Sequence, residues 1–304
     1  MTAKPHLRWT APRIFLWSVN GLRTEALSSR YLRHRGEELP WSLFDIFSTL
    51  PAFALVLFRM TGLVMTAPIF ASRIIPARIR AALVMAMAAM TFPLVRAQTP
   101  SDVTWGGVVG GAAGEMMIGL AIGMSLAIFV SGVEVAGLMV GRQAGLAIGQ
   151  VFDPSSNTQV SIIGQVYSIS LMTLFLLAGG HRATMAALLD TYDVIPLLSF
   201  QINDSIPLLL IAMVTAAFVL GIRLAGPVLI ALFLTGTAMG FLSRTMPQLN
   251  ILSIGFTVRV MVALGVAGFA LAEYQDVLVD AVWTAFETIR SGMGLDPYPR
   301  GLVN

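Results

Sequence analysis

The chain has 304 residues, 56% of them hydrophobic and only 12% charged, with a mean hydropathy of +0.80 and a formal net charge of +3. Soluble domains carry about 25% charged residues, and a soluble fold of this length has no core able to hide so much apolar surface, so the composition points to helices in a membrane. Cysteine is absent and only His6, His34 and His181 occur, which excludes a disulfide framework and a Cys-based metal or redox site, and leaves too few histidines for a His-built catalytic centre.

The basic excess is local. Residues 1–39 hold seven Lys and Arg against three Glu, whereas the rest of the chain holds twelve Arg against thirteen acids. The pI of 9.7 therefore describes the N-terminal stretch and not a nucleic-acid surface. Residues 1–40 read as a flexible, solvated basic extension that can also touch anionic lipid, at about 1 kcal/mol per basic residue near the surface. They do not read as a secretory signal. Arginines recur throughout, the apolar run Ile14 to Val19 is too short, and no small-residue cleavage site follows it.

Six apolar segments follow. The first, Leu50 to Phe70, contains Arg59. The second is Ala81 to Val95. The third, Val103 to Val140, carries Glu115 and Glu134. The fourth is Val160 to Ala178. The fifth, Ile206 to Leu242, contains Arg223 and Gly226-Pro227. The sixth, Ile251 to Ala272, contains Arg259. One span needs about 20 helical residues, so the third and fifth segments predict helical hairpins or helices that project beyond the bilayer. Gly106-Gly107, Gly110-Gly111 and Gly226-Pro227 mark expected bends. Small residues spaced four apart, Gly107/Gly111, Gly110/Gly114 and Gly119/Gly123, predict close helix packing. Val277, Leu278, Ala281, Val282, Ala285, Phe286 and Ile289 form one apolar stripe on a final helix, suited to packing on a partner helix.

Arg59, Glu115, Glu134, Arg223 and Arg259 lie within apolar segments. A charge at a helix centre in lipid costs roughly 2.5–3.5 kcal/mol on insertion scales. These five are therefore expected to be buried and paired through tertiary contacts; an ion or proton path is the competing use. The positive-inside rule fails here: a cytoplasmic basic N-terminus would put Arg73, Arg78 and Arg80 outside. His181, after Gly179-Gly180, reads as the end of the fourth segment. No nucleophile motif accompanies it, so no catalytic residue is expected. No cofactor is expected.

Between the third and fourth segments lies GRQAGLAIGQVFDPSSNTQ, Gly141 to Gln159. Irregular backbone cannot face lipid, because each unsatisfied N–H or C=O costs several kcal/mol there. This break must be buried in protein, line a wet cavity, or lie outside the bilayer.

Four groups of residues together resemble a known family. They are Ala67-Pro68-Ile69-Phe70 with Ile75-Pro76-Ala77-Arg78-Ile79-Arg80; Gly141, Gln143, Gly145 and Leu146 with Phe152-Asp153-Pro154; Leu176 with Gly180-His181; and Ser243-Arg244, Met246 and Pro247-Gln248-Leu249-Asn250-Ile251 with Gly255-Phe256. Their order and spacing resemble the FliR/SctT family of type III export-gate proteins over residues 41–290, leaving 291–304 as a C-terminal tail. The resemblance is closer to the flagellar than to the injectisome branch. It implies an all-α, membrane-associated fold of helical hairpins in a multi-subunit channel. It also implies a non-enzymatic gate subunit of the flagellar basal body in the bacterial inner membrane.

The implied partners are FliP-like and FliQ-like subunits, FlhA- and FlhB-like export components, membrane lipid and the unfolded proteins that pass. The loop near 141–156 corresponds to the family's plug. Gly141 and Gly145 permit tight turns. Leu146, Ile148, Val151 and Phe152 suit an apolar seal that gates by dewetting, and Asp153-Pro154 fixes the exit turn. Where family members often carry an aromatic, this chain has Ile148. A secondary transporter of small solutes is the alternative, suggested by broken helices and buried charges. It requires an inverted repeat, and the sequence has no internal repeat.

Overall fold

In hydrocarbon a backbone N–H or C=O has only its own chain to bond to, so apolar segments of this kind coil into helices. The computed structural model describes residues 43–72, 75–96, 103–146, 161–201, 205–246, 248 and 251–297. Eight helices occur among them: α1 (Leu43–Thr66), α2 (Ala77–Val95), α3 (Trp105–Ala144), α4 (Ile162–Leu177), α5 (Gly180–Val194), α6 (Ser205–Thr245), α7 (Ile251–Glu273) and α8 (Gln275–Gly292). No strand occurs among the described residues. Helices α1, α2, α3, α6 and α7 are long and apolar enough to cross a membrane. Helices α4 and α5, bent by 65° at a short break, form a sixth span if taken together. The fold is the all-α membrane architecture that composition predicts. The described residues from Ser48 onward make one compact unit.

The two overlong segments resolve in favour of projection over hairpins. Helix α3 runs unbroken for 40 residues and α6 for 41, about 60 Å each. The expected bends are absorbed. Gly106, Gly107, Gly110 and Gly111 lie in the first turns of α3, and Pro227 sits inside α6 between the buried Leu224, Ala225 and Val228. Packing on both sides of a proline can hold the helix through one missing hydrogen bond. Helix α5 was not foreseen as a separate element. Gly179, with φ of 75°, turns the chain, and His181 stands exposed in the first turn of this new helix.

Glycines make α3 the central element. A Cβ on Gly119 would run into the Arg59 carbonyl and the Leu63 nitrogen of α1, and one on Gly62 would run into the Met116 carbonyl. Gly123 meets Thr66 and Ala67 in the same seam. Nine residues further on, at 3.6 residues per turn, Gly132 points the opposite way and touches the backbone of Ala217 in α6. Gly137 meets Gly164 in α4. Gly107, Gly111 and Gly114, which the spacing assigned to helix packing, instead receive the side chains of Leu198 and Phe200 from the chain that follows α5.

The apolar stripe of α8 packs on the helices of its own chain, with Leu278, Val282, Ala285, Phe286 and Ile289 buried. The Phe286 ring lies 5.8 Å from that of Phe175. Arg290 ties α8 to α5 through Asp190 at 2.6 Å and also donates to the Asp296 carbonyl. Asp190 is 41% exposed, so this pair is worth little. Asp190→Asn is expected to lower the stability of the detergent-solubilised chain by about 1 kcal/mol. A loss of several kcal/mol in thermal unfolding would show that the tail is held by charge and not by its apolar stripe.

Arg80, one of the three arginines for which the charge rule fails, is bonded within its own chain. Its guanidinium donates to the Ser72 carbonyl at 2.9 Å and reaches those of Ala71 and Ile75 at 3.5 Å. It staples the turn between α1 and α2.

Candidate functional site

Two features along α3 stand out. The first is near its start. Arg59 of α1 and Glu115 of α3 are both fully buried. The Arg59 Nε donates to Glu115 Oε2 at 2.7 Å, and Nη2 lies 2.6 Å from the same oxygen. Both terminal nitrogens also find acceptors in the chain after residue 190: Nη1 donates to Thr191 Oγ1 at 3.1 Å and Nη2 to the Ile195 carbonyl at 3.0 Å. Thr191 passes its own hydroxyl hydrogen to the Leu188 carbonyl. Glu115 Oε1 accepts from the backbone N–H of Leu198 at 3.0 Å. The guanidinium also lies 4.0 Å from the centre of the Tyr192 ring. A buried ion pair is tolerated only when its remaining hydrogen-bonding groups are satisfied, and here α1, α3 and the end of α5 all contribute.

Leu198 adopts φ of 68°, a conformation that costs a branched L-residue about 1–2 kcal/mol. The clamp and the glycines hold it there. The Leu198 N–H points at Glu115, while its side chain enters the groove over Gly107 and Gly111 beside Leu55.

The other three charges expected to be buried are placed differently. Glu134 is exposed on α3 and accepts a hydrogen bond from Ser168 Oγ at 3.2 Å. Arg223 is exposed on α6. Arg259 is half-buried on α7, with its guanidinium over Gly236 of α6. The physical reason is that this chain covers α3 but not α6. In the most apolar window of each helix, 61% of α3 is buried and 28% of α6. Large apolar side chains such as Ile211, Phe218, Ile222, Ile230 and Phe233 stand exposed along α6 with Arg223.

The second feature is the loop after α3. The helix closes at Gly145, with φ of 86°, and the Leu146 N–H bonds the Gly141 carbonyl at 3.0 Å. Gly141 is buried, Gln143 exposed and Leu146 half-buried. The return stalk starts at Ser161, which caps α4 by accepting from the Gly164 N–H. The Ser161 hydroxyl donates across to the Gly137 carbonyl at 2.9 Å. Gly137 against Gly164, and Gly141 against Ser161, leave no room for a side chain between the stalks. Ile148, Val151, Phe152, Asp153 and Pro154 lie outside the described residues, as do Pro247, Leu249 and Asn250; Gln248 is exposed in the turn between α6 and α7.

Sequence reasoning marked Arg59 and Glu115 but missed Thr191, Tyr192, Ile195 and Leu198. Nothing local distinguishes those four; they lie 83 or more positions from the charges they serve. Among the described residues no group of three His, Asp or Glu side chains is placed to hold a metal.

Residues 50–285 match the model of a family described as bacterial export proteins, family 1. The chain belongs to that family. Its relatives include the flagellar biosynthetic protein FliR of Caulobacter vibrioides, 30% identical over 233 residues that cover 76% of this chain and 90% of the relative. FliR of Bacillus subtilis is 26% identical over 84% of this chain and 98% of the relative. The surface presentation of antigens protein SpaR of Shigella flexneri is 26% identical over 49% of this chain and 58% of the relative. The resemblance to the FliR/SctT family carried by the sequence motifs is thus membership. This export-family chain, with its apolar helices, is a membrane-embedded component of a bacterial export apparatus.

Proposed function

We propose that this chain is a non-enzymatic subunit of the flagellar type III export gate in the bacterial inner membrane, part of the basal body. In this reading it joins FliP-like and FliQ-like subunits in a channel for unfolded proteins, fed by FlhA- and FlhB-like components. The loop near 141–156 acts as the plug.

The observation that supports this most directly is the pair of locked stalks. Gly137, Gly141, Ser161 and Gly164 hold the two ends of the intervening loop together. A segment that leaves and returns at one fixed point can be displaced by a passing chain and find its place again. The uncovered apolar face of α6 fits a subunit buried in a larger assembly better than a lone solute carrier. The basic stretch 1–40 has no assigned part in the gate.

Deleting residues 145–152 is expected to leave the complex assembled but leaky to ions, read as membrane conductance or dye influx in cells carrying the variant. Normal membrane resistance in an assembled complex would overturn the plug assignment. Failure of FliP- and FliQ-like proteins to copurify with the wild-type chain would overturn the gate reading itself.

A further inference from the structure

Glu134 occupies an unusual position. It lies ten residues before the end of α3, about 15 Å along the axis, on a helix whose most apolar window has a mean hydropathy of 2.2. It faces an open cleft of about 400 Å³ between α3 and α4. The polar lining of that cleft is Ser131, Glu134, Ser161, Gln165 and Ser168. Of these, Ser131 gives its hydrogen to the Ile128 carbonyl and Ser161 gives its own to the Gly137 carbonyl. Only Ser168 donates to Glu134.

A neutral hydroxyl does not compensate a carboxylate at membrane depth, where charge costs roughly 2.5–3.5 kcal/mol and where charge-assisted bonds are about twice as strong as neutral ones. Among the described residues no cation lines this cleft. The ion pairs among the described residues are Arg59–Glu115 and Arg290–Asp190, and Arg142, the next cation along α3, is two turns further on. The cleft is open on one side, has acceptor capacity to spare and carries a single negative charge.

We propose that this cleft receives a lysine or arginine side chain from a membrane helix of another subunit of the export complex, with Glu134 as the counter-charge and Gln165 and the serines as additional acceptors. The inference rests on the gate-subunit reading above. It adds a docking position to it: the cleft shares Ser161 and Gly164 with the locked stalks of the loop. A partner side chain seated here would brace those stalks from outside.

The test uses the full chain purified with its export partners from membranes. Glu134→Lys is expected to reduce recovery of those partners at least tenfold, Glu134→Gln to reduce it less, and Glu134→Asp to retain most of it. The isolated variants in detergent should melt with wild type, since Glu134 is exposed in the single chain; a general folding defect would instead lower all their melting temperatures and overturn the proposal. Because the chain has no cysteine, Gln165→Cys can be labelled with benzophenone maleimide as a unique probe. It is expected to cross-link to one partner subunit next to a basic residue, and changing that residue to Glu should restore assembly with Glu134→Lys.

Three results would overturn the proposal. Glu134→Lys could recover partners at the wild-type level. The probe could cross-link to lipid only. Glu134→Gln could assemble normally yet alter ion conductance, which would make the cleft an ion path. In each case partners would still copurify with wild type, so the gate-subunit reading would stand. Loss of partners from the wild-type chain would be a failure of that reading instead.

Discussion

Arg59→Ala is expected to destabilise the chain by about 3–5 kcal/mol, the range seen when one member of a buried ion pair is removed. The reason lies in what remains. Glu115 would keep one donor, the Leu198 N–H, and would hold an uncompensated charge in a site with no exposure. Thr191 and the Ile195 carbonyl would lose their donor together, and Tyr192 its cation. The turn containing Leu198 would then lack the carboxylate that aims it, and its left-handed backbone would be free to relax. The readout is the thermal midpoint of the purified chain in detergent, with its steady-state amount in membranes as a second measure. Combining Arg59→Met with Glu115→Leu is expected to recover much of the loss, because a buried pair can often be replaced by packed apolar groups of similar volume. If Arg59→Ala melts with wild type, the clamp does not hold these three elements together.

Gly137→Val carries the second large effect. The site has no side chain that could move aside, since a Cβ on Gly137 meets the backbone of Gly164. Helices α3 and α4 must separate, at a cost of about 1–3 kcal/mol for overpacking. The Ser161 to Gly137 hydrogen bond is lost with them, worth about another 1 kcal/mol. Because these same residues hold the loop's two ends, the assembled complex is expected to leak as well as to be less stable. Gly110→Val is the control: it sits in the same helix with nothing within 4 Å of the added carbon, and its isolated chain should stay within about 1 kcal/mol of wild type. Equal behaviour of the two variants would mean that the stalks are not in tight contact.

These two sites also mark how far the residues could be read directly. The expense of Arg59 and Glu115 was legible, because an ionisable group in an apolar run is costly wherever the helix ends up. Their pairing was not. The partners are 56 positions apart, and Thr191 is 132 positions from Arg59. The glycine spacing of α3 announced close packing, but spacing alone cannot say what approaches. Gly119 and Gly123 meet a helix, whereas Gly111 and Gly114 meet the side chains of a turn. Glu134, Arg223 and Arg259 looked like members of the same class as Arg59. Only the arrangement of neighbours separates a charge enclosed by its own chain from one left on an open face.

By itself the sequence determined the class of the molecule and its segments. Apolar content, the length of each run and the scarcity of charge decide that the backbone must satisfy itself as helices in a membrane, and the ordered motifs decide the family. Helix continuity, burial and partnership were decided by the tertiary structure. Whether Gly226-Pro227 breaks α6, whether Leu198 can occupy a left-handed turn, and which charges find counter-charges all depend on groups brought together from distant parts of the chain. Those contacts are set by surface complementarity between whole helices, a property that no local window of residues contains.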